Sequence, residues 1–172
     1  MSGVRRRALA GAWIVGCAAV PLLGTAAQPR TGRSDCVVKL VNDGDTFRCT
    51  DGRRVRLLQV DAPEKDQAPF GAAARAALVR LAPPGARVEL EYDTRRQDQY
   101  GRTLAFVWLA DGRMANEELA RQGAVVVLVY KPNVRYVERI EAAVAAARKA
   151  RIGVWADRGL TCEPRLHRQK RC

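Results

Sequence analysis

Apolar and polar residues alternate along several short segments of this chain, which is the pattern of a strand with one buried face. In residues 87–92, Val88 and Leu90 alternate with charged side chains. Asp-Gly dipeptides at 51–52 and 111–112 are typical of tight turns between such segments. The pattern predicts five strands, at residues 36–41, 46–49, 53–60, 87–92 and 104–109.

Three longer segments have the composition and spacing of helices. The first is rich in alanine and is followed by Pro83, which cannot continue a helix. The second begins with Asn116, which we expect to be its N-terminal cap, and ends at Gly123. The third carries apolar side chains at helical spacing. We therefore expect helices at residues 70–81, 116–122 and 134–151, with a short extended segment at 124–130.

The order of these elements is three strands, a helix, two strands and two helices. An α+β fold built as a five-stranded OB-type β-barrel with three flanking helices accounts for this order. We expect it to occupy residues 36–157 as one domain, since 172 residues are too few for two full domains.

The first 27 residues differ from the rest of the chain. Arg5, Arg6 and Arg7 precede an apolar run, which ends in small residues at Ala26 and Ala27. This layout predicts a secretory signal peptide over residues 1–27, and hence export to the periplasm or the medium. The alternative is an uncleaved membrane anchor. Polar residues 28–35 then form a predicted linker.

Charge points to a polyanionic partner. The chain has 30 Lys and Arg against 18 Asp and Glu, a formal net charge of +12, which favours nucleic acid first and an anionic membrane surface second. Hydrophobic residues make up 48% of the chain, so a disordered protein is excluded. Residues 158–172 end in a basic run that we expect to be a solvated tail.

Cysteine usage agrees with export. Four cysteines follow the predicted signal peptide, and an even number in an exported chain predicts disulfides. Four cysteines allow three pairings. We favour the two pairs that are local in sequence, Cys36–Cys49 and Cys162–Cys172.

Candidate chemistry lies at the predicted strand ends. Asp45, Asp61 and Glu64 are acids in an otherwise basic chain, and carboxylates brought together repel unless a cation or a proton intervenes. With one histidine in the chain, the ligand set is all oxygen, which selects Ca²⁺ or Mg²⁺. Arg56 and Arg102 are planar donors suited to a phosphate. Together these residues favour attack of water on a phosphodiester.

The segment from residue 38 to residue 155 resembles the staphylococcal nuclease family. The matching motifs, in order, are Asp43-Gly44-Asp45-Thr46, Arg56-Leu57-Leu58, Val60-Asp61-Ala62-Pro63-Glu64, Asp98-Gln99-Tyr100-Gly101-Arg102, Asn116-Glu117, Arg121-Gln122-Gly123, Tyr130-Lys131-Pro132 and Trp155. The resemblance implies an OB-type barrel and a Ca²⁺-dependent nuclease of low sequence specificity. Its substrates would be DNA and RNA, and its products would carry 3′-phosphates. It implies no stable protein partner, and we expect a monomer.

The resemblance also implies a role for each site residue. Asp45 and Asp61 would hold Ca²⁺ with the backbone carbonyl of Ala62. Glu64 would position or deprotonate the attacking water. The remaining expected roles are transition-state contacts to phosphate for Arg56 and Arg102, and substrate binding for Tyr100, Tyr130 and Lys131.

Some positions depart from the family pattern, and other classes of protein compete with this interpretation. Ala62 and Gln99 replace a threonine and a lysine, and Leu128 replaces a second tyrosine beside the base. A non-catalytic nucleic-acid-binding OB module would lack one of the acids or arginines, yet all five are present. An envelope protein that binds anionic lipid through its charge is the third hypothesis.

Overall fold

Seven strands, four α-helices and one short 3₁₀ helix (Gly153–Trp155) form within residues 32–172, the part of the chain that the computed structural model describes. The predicted signal peptide lies outside the described residues. The strands are β1 (Arg33–Val41), β2 (Thr46–Cys49), β3 (Arg54–Leu57), β4 (Val60–Asp61), β5 (Arg87–Glu91), β6 (Thr103–Trp108) and β7 (Val126–Val127). The helices are α1 (Phe70–Leu81), α2 (Ala115–Arg121), α3 (Val137–Lys149) and α4 (Pro164–Arg168).

Five strands close a barrel in the order β1-β2-β3-β6-β5. β3 and β6 pair in parallel, and the other neighbouring strands pair antiparallel. Phe47, Leu57, Leu90 and Phe106 are fully buried in the core. The predicted α+β fold, a five-stranded barrel with three longer flanking helices, is confirmed. The short helix α4 is additional.

The predicted third strand, residues 53–60, is divided in two. Gln59 has a left-handed backbone with φ of 64°, so the chain turns after β3 and continues as β4. β4 leaves the barrel and pairs antiparallel with β7. Hydropathy alone does not show this turn, because residues 57–60 are all buried and no exposed segment separates β3 from β4. The turn brings Asp61 to the rim of the barrel.

Asn116 does not cap α2, contrary to the sequence prediction. The helix begins at Ala115, and the Asn116 side chain is fully buried. Its Oδ1 accepts a hydrogen bond from the Val107 backbone N–H at 2.9 Å, and its Nδ2 donates to the Leu58 carbonyl at 2.9 Å. Asn116 thus joins α2, β6 and the turn after β3, because those backbone groups are buried and need partners.

The predicted linker over residues 28–35 is wrong for its last part, since β1 begins at Arg33. Arg33 pairs in register with Glu91, donates to Glu89 at 2.9 Å and lies 4.0 Å above the centre of the Trp108 ring. A polar segment therefore extends the barrel, because its neighbours on β5 and β6 supply the charges and the ring that it binds.

Two disulfides have the predicted local pairing. Cys36–Cys49 joins β1 to β2, and Cys162–Cys172 closes a ring that contains α4. Within residues 32–172, no helix has the length and apolar character needed to cross a bilayer.

Glu91 joins the barrel to the start of α3. Its carboxylate accepts hydrogen bonds from Trp108 Nε1 at 2.6 Å, Arg135 Nη1 at 2.7 Å and Tyr136 Oη at 3.0 Å. Arg33 lies 3.4 Å from it. Burial raises the pKa of Glu91, but the hydrogen bonds and Arg33 outweigh burial and hold the pKa below its usual value.

We predict that Glu91→Gln lowers the free energy of unfolding by about 1–3 kcal/mol at pH 7, since hydrogen bonds to a charged acceptor are lost. A lowered carboxyl pKa stabilises the fold above the ordinary value of 4.5, and this stability is lost as the pH falls through the folded-state value. The difference between wild type and variant should therefore shrink below pH 4.5. Urea unfolding at several pH values measures it.

Glu141→Gln, on the exposed face of α3, is the matched control and should change stability little at any pH. A Glu91→Gln deficit that stayed the same down to pH 3 would contradict the assigned charge effect.

Candidate active site

A cavity of about 740 Å³ opens at the rim of the barrel. Its walls come from the loop between β1 and β2, from β3 and β4, and from the loops before β6 and after β7. The structure brings all nine predicted catalytic, metal-binding and substrate-binding residues to this cavity: Asp45, Arg56, Asp61, Ala62, Glu64, Tyr100, Arg102, Tyr130 and Lys131.

Asp45 and Asp61 converge on one guanidinium nitrogen. Arg56 Nη2 lies 3.1 Å from Asp45 Oδ2 and 3.0 Å from Asp61 Oδ1. Asp45 Oδ2 also accepts a hydrogen bond from the Ala62 backbone N–H at 2.7 Å, and Asp45 Oδ1 accepts one from Thr46 Oγ1 at 2.9 Å. Two carboxylates from separate elements are thereby fixed around a shared positive charge.

The loop that carries Asp45 packs tightly against α1. A Cβ added at Gly44 would lie 2.5 Å from the Ala74 Cβ and 2.6 Å from the Ala62 Cβ, so only glycine fits there. Asp43 Oδ1 accepts a hydrogen bond from the Asp45 backbone N–H at 3.1 Å, which closes the turn. Glycine in the Asp-Gly-Asp motif therefore sets how closely Asp45 approaches β4.

Glu64 is positioned by contacts between its backbone and the start of α1. Its N–H donates to Gln67 Oε1 at 2.9 Å. A Cβ added at Gly71 would lie only 2.1 Å from the Glu64 carbonyl oxygen, so α1 passes directly against this peptide. These contacts hold the short loop after β4 against α1, with the Glu64 side chain at the cavity.

Asp98 organises the loop that carries Arg102. Its Oδ1 accepts hydrogen bonds from the Tyr100 and Arg102 backbone N–H groups, each at 2.9 Å, and its Oδ2 accepts one from Arg102 Nε at 2.6 Å. Burial raises the pKa of Asp98, but these hydrogen bonds outweigh it and lower the pKa overall. Asp98 therefore stays ionised and orients the Arg102 guanidinium, a role that the sequence motif did not reveal.

Two tyrosine side chains stand at the mouth of the cavity. Tyr100 is 67% exposed and Tyr130 is 59% exposed, which is unusual for large aromatic residues. The Arg102 guanidinium lies 5.5 Å from the centre of the Tyr100 ring. Exposed rings beside guanidinium groups suit the stacking of nucleic-acid bases.

The electrostatics of the carboxylate pair favour a cation. Asp61 is 1% exposed, and its burial raises its pKa despite the opposing effects of Arg168 and Arg56. Across residues 32–172, no group of three or more His, Cys, Asp or Glu side chains is arranged to hold a metal. The Asp45 and Asp61 carboxylates and the Ala62 carbonyl are oxygen donors at this cavity, and together with water they could hold Ca²⁺ or Mg²⁺.

Comparison with known proteins agrees with this geometry. Residues 54–157 match the family described as "Staphylococcal nuclease homologue". The chain is 42% identical over 127 residues to a thermonuclease of Staphylococcus intermedius, covering 69% of this chain and 74% of that protein. It is 38% identical over 129 residues to a thermonuclease of Staphylococcus hyicus, covering 70% and 75%. Endonuclease YncB of Bacillus subtilis is 34% identical over 138 residues, covering 70% and 64%.

The chain belongs to the staphylococcal nuclease family. It is a nuclease, a hydrolase that acts on the phosphodiester bonds of nucleic acids. The region matched by the family includes Arg56, Asp61, Glu64 and Arg102, whereas Asp45 precedes it.

One residue of the nuclease site comes from the segment expected to be a solvated tail. Arg168, at the end of α4, lines the cavity and forms ion pairs with Asp61 and Glu64. The tail prediction is therefore wrong for this segment, because the Cys162–Cys172 ring and α4 return the chain to the site. The two cysteines indicated a closed ring, but not its docking place.

We predict that Gly71→Ala displaces the Glu64 loop, because its Cβ cannot coexist with the Glu64 carbonyl oxygen. The nuclease kcat/KM should fall about tenfold to hundredfold at a temperature where the variant is folded, since Glu64 lines the cavity and small misplacements in an enzyme site are costly. Initial rates on DNA, with circular dichroism as the folding check, measure this. Ala72→Ser, at the next and exposed position of α1, should keep the wild-type rate. Full activity in Gly71→Ala would show that Glu64 placement does not depend on this contact.

Proposed function

We propose that this nuclease is exported, depends on Ca²⁺ and cleaves DNA and RNA with low sequence specificity, leaving 3′-phosphate and 5′-hydroxyl ends. The observation that carries the proposal is that one cavity is lined by three carboxylates and two guanidinium groups from separate parts of the chain, those of Asp45, Asp61, Glu64, Arg56 and Arg102. Such a set combines a cation site, an acceptor for a proton and donors for a phosphate.

Asp45, Asp61 and the Ala62 carbonyl would hold the metal ion. The two carboxylates support this assignment through their proximity, because Asp45 Oδ2 and Asp61 Oδ1 lie within 3.1 Å of the same Arg56 nitrogen and are close enough together to share a metal ion. Ca²⁺ accepts several oxygen ligands in flexible geometry, which suits two carboxylates and a carbonyl completed by water. When bound, the ion would supply positive charge that stabilises the phosphorane-like transition state.

Glu64 is the proposed acceptor of the proton from the attacking water. Its backbone is fixed while its carboxylate is half-buried at the cavity, so the group is both oriented and reachable. A new bond forms between the water oxygen and phosphorus as the bond from phosphorus to the 5′ oxygen breaks. The water proton passes to Glu64, and the departing 5′ oxygen takes up a proton from solvent water to become a hydroxyl.

Arg56 and Arg102 are the proposed phosphate contacts. They reach the cavity from β3 and from the loop before β6, so two guanidinium groups can donate to the non-bridging oxygens. Asp98 orients Arg102, which reduces the ordering needed when substrate binds. Charge that develops on the phosphate in the transition state would meet the Arg102 guanidinium, which Asp98 already holds in place.

Substrate binding outside the reacting phosphate is assigned to Tyr100, Tyr130 and Lys131. The two exposed rings can stack on any base, and the lysine can contact a neighbouring phosphate, so neither interaction selects a sequence. The basic charge of the chain would concentrate nucleic acid near the site. The two disulfides support an oxidising compartment, and we propose that the enzyme acts as a monomer.

We predict that purified protein degrades plasmid DNA and RNA with Ca²⁺ and stops when a chelator is added. Glu64→Gln and Arg102→Gln should each lower kcat/KM by about 10²–10⁴, because each removes a group used in the transition state. The new ends should accept phosphate from polynucleotide kinase without prior dephosphorylation, as 5′-hydroxyl ends do.

Glu138→Gln on α3 and Arg80→Gln on α1 are exposed charge-matched controls that should keep the wild-type rate. Chelator-resistant cleavage would overturn the metal dependence, and full activity in Glu64→Gln would overturn the role of that residue.

A further inference from the structure

The Arg168 guanidinium lies between the carboxylate proposed to bind metal and the carboxylate proposed to take the proton. Its Nη2 donates to Asp61 Oδ2 at 2.9 Å, and its Nη1 donates to Glu64 Oε1 at 2.6 Å and to Asp61 Oδ1 at 3.2 Å. With Arg56 also bound to Asp61 Oδ1, both Asp61 oxygens are occupied by arginine donors.

The segment that carries Arg168 is anchored beside the site. The Cys162 carbonyl accepts a hydrogen bond from Gln67 Nε2 at 2.8 Å, and His167 Nε2 lies 3.0 Å from Asp66 Oδ1. Gln67 is the residue whose Oε1 also binds the Glu64 backbone. The same loop after β4 therefore positions Glu64 and docks the C-terminal segment.

The disulfide limits where this segment can lie. α4 has only five residues, which is too short to be stable by itself. Cys162–Cys172 closes a ring around it, and the cystine restricts the positions that Arg168 can reach. Pro164 is buried and adds a packing contact at the start of the helix.

Arg168 and a divalent ion require the same oxygens. An ion that binds Asp61 places two positive charges within a few ångströms of this guanidinium, and like charges at that distance repel strongly in a partly buried site. At 39% exposure, the Arg168 side chain has room to swing outward from Asp61. Binding of the ion and the Asp61–Arg168 pair are therefore mutually opposed.

We propose that the C-terminal segment, residues 162–172, is an intramolecular competitor for the metal site, with Arg168 as the competing cation and the Cys162–Cys172 disulfide as its tether. This inference rests on the proposed function. In the metal-free protein Arg168 neutralises Asp61 and Glu64, and metal binding displaces it from Asp61. Reduction of the disulfide weakens the competition and raises metal affinity.

Arg168→Gln tests the competition without relying on catalysis. Isothermal titration of the purified protein with Ca²⁺ alone should show a Kd about tenfold lower than that of the wild type, within the usual range for coupled sites. The melting temperature of the metal-free variant should fall, because buried Asp61 loses a counter-charge. If Arg168 had a purely structural role, its loss would lower both the melting temperature and the Ca²⁺ affinity. A lower melting temperature together with a higher Ca²⁺ affinity therefore identifies competition.

Three further variants test separately the charge of Arg168, the geometry of its guanidinium and the disulfide tether. Lys170→Gln removes the same charge from the same ring at an exposed position without touching the site, and should leave Ca²⁺ affinity unchanged. Arg168→Lys keeps the positive charge but cannot make bidentate hydrogen bonds, and its Ca²⁺ affinity should lie between those of the wild type and Arg168→Gln. The double variant Cys162→Ser/Cys172→Ser should bind Ca²⁺ more tightly than the wild type, by a smaller factor than Arg168→Gln.

The outcomes distinguish this inference from the proposed function. Unchanged or weaker Ca²⁺ binding by Arg168→Gln, in a protein whose wild type binds Ca²⁺ and cleaves DNA, overturns the inference alone. Unchanged affinity in the double cysteine variant overturns the role of the tether. Lack of Ca²⁺ binding by the wild type together with chelator-resistant cleavage overturns the proposed metal and this inference with it.

Discussion

The repulsion among buried carboxylates is the constraint on which the site depends. Asp45 and Asp61 are buried side by side, and each additional negative charge in that space costs free energy unless a cation accompanies it. Arg56 supplies the shared charge for the pair, and Arg168 supplies a second one for Asp61 and Glu64. Both arginines lie where they compensate these negative charges, and a bound metal ion would compensate the same charges.

The barrel satisfies that requirement by bringing separate loops to one rim. The turn at Gln59 takes the chain out of the barrel and places Asp61 opposite the loop between β1 and β2. The Asn116 side chain donates a hydrogen bond to the Leu58 carbonyl, a buried backbone group in this turn. The barrel beneath the loops holds the side chains that line the cavity in place before any substrate arrives, and such preorganisation is what electrostatic catalysis needs.

Much of the fold and the candidate site could be predicted from local patterns. Alternation located the barrel strands, and the spaced motifs identified Arg56, Glu64 and Arg102 as residues of one cavity. The errors occurred where distant groups decide the structure. Asn116 looked like a helix cap, yet distant backbone groups bind its side chain. The basic end of the chain looked solvated, yet Arg168 finds its partners more than a hundred residues away.

By itself the sequence determined the family, the barrel and the chemistry of the donors, and it favoured the two local disulfides, because strand periodicity, side-chain type and short spacing are local properties. Only the tertiary structure decided that the chain turns between β3 and β4, that Asp98 orients Arg102, and that Arg168 occupies the site. Each of these depends on which surfaces meet when the barrel closes. Charge alone could pair Arg168 with any accessible acid, and it is the folded chain that places Arg168 beside Asp61 and Glu64.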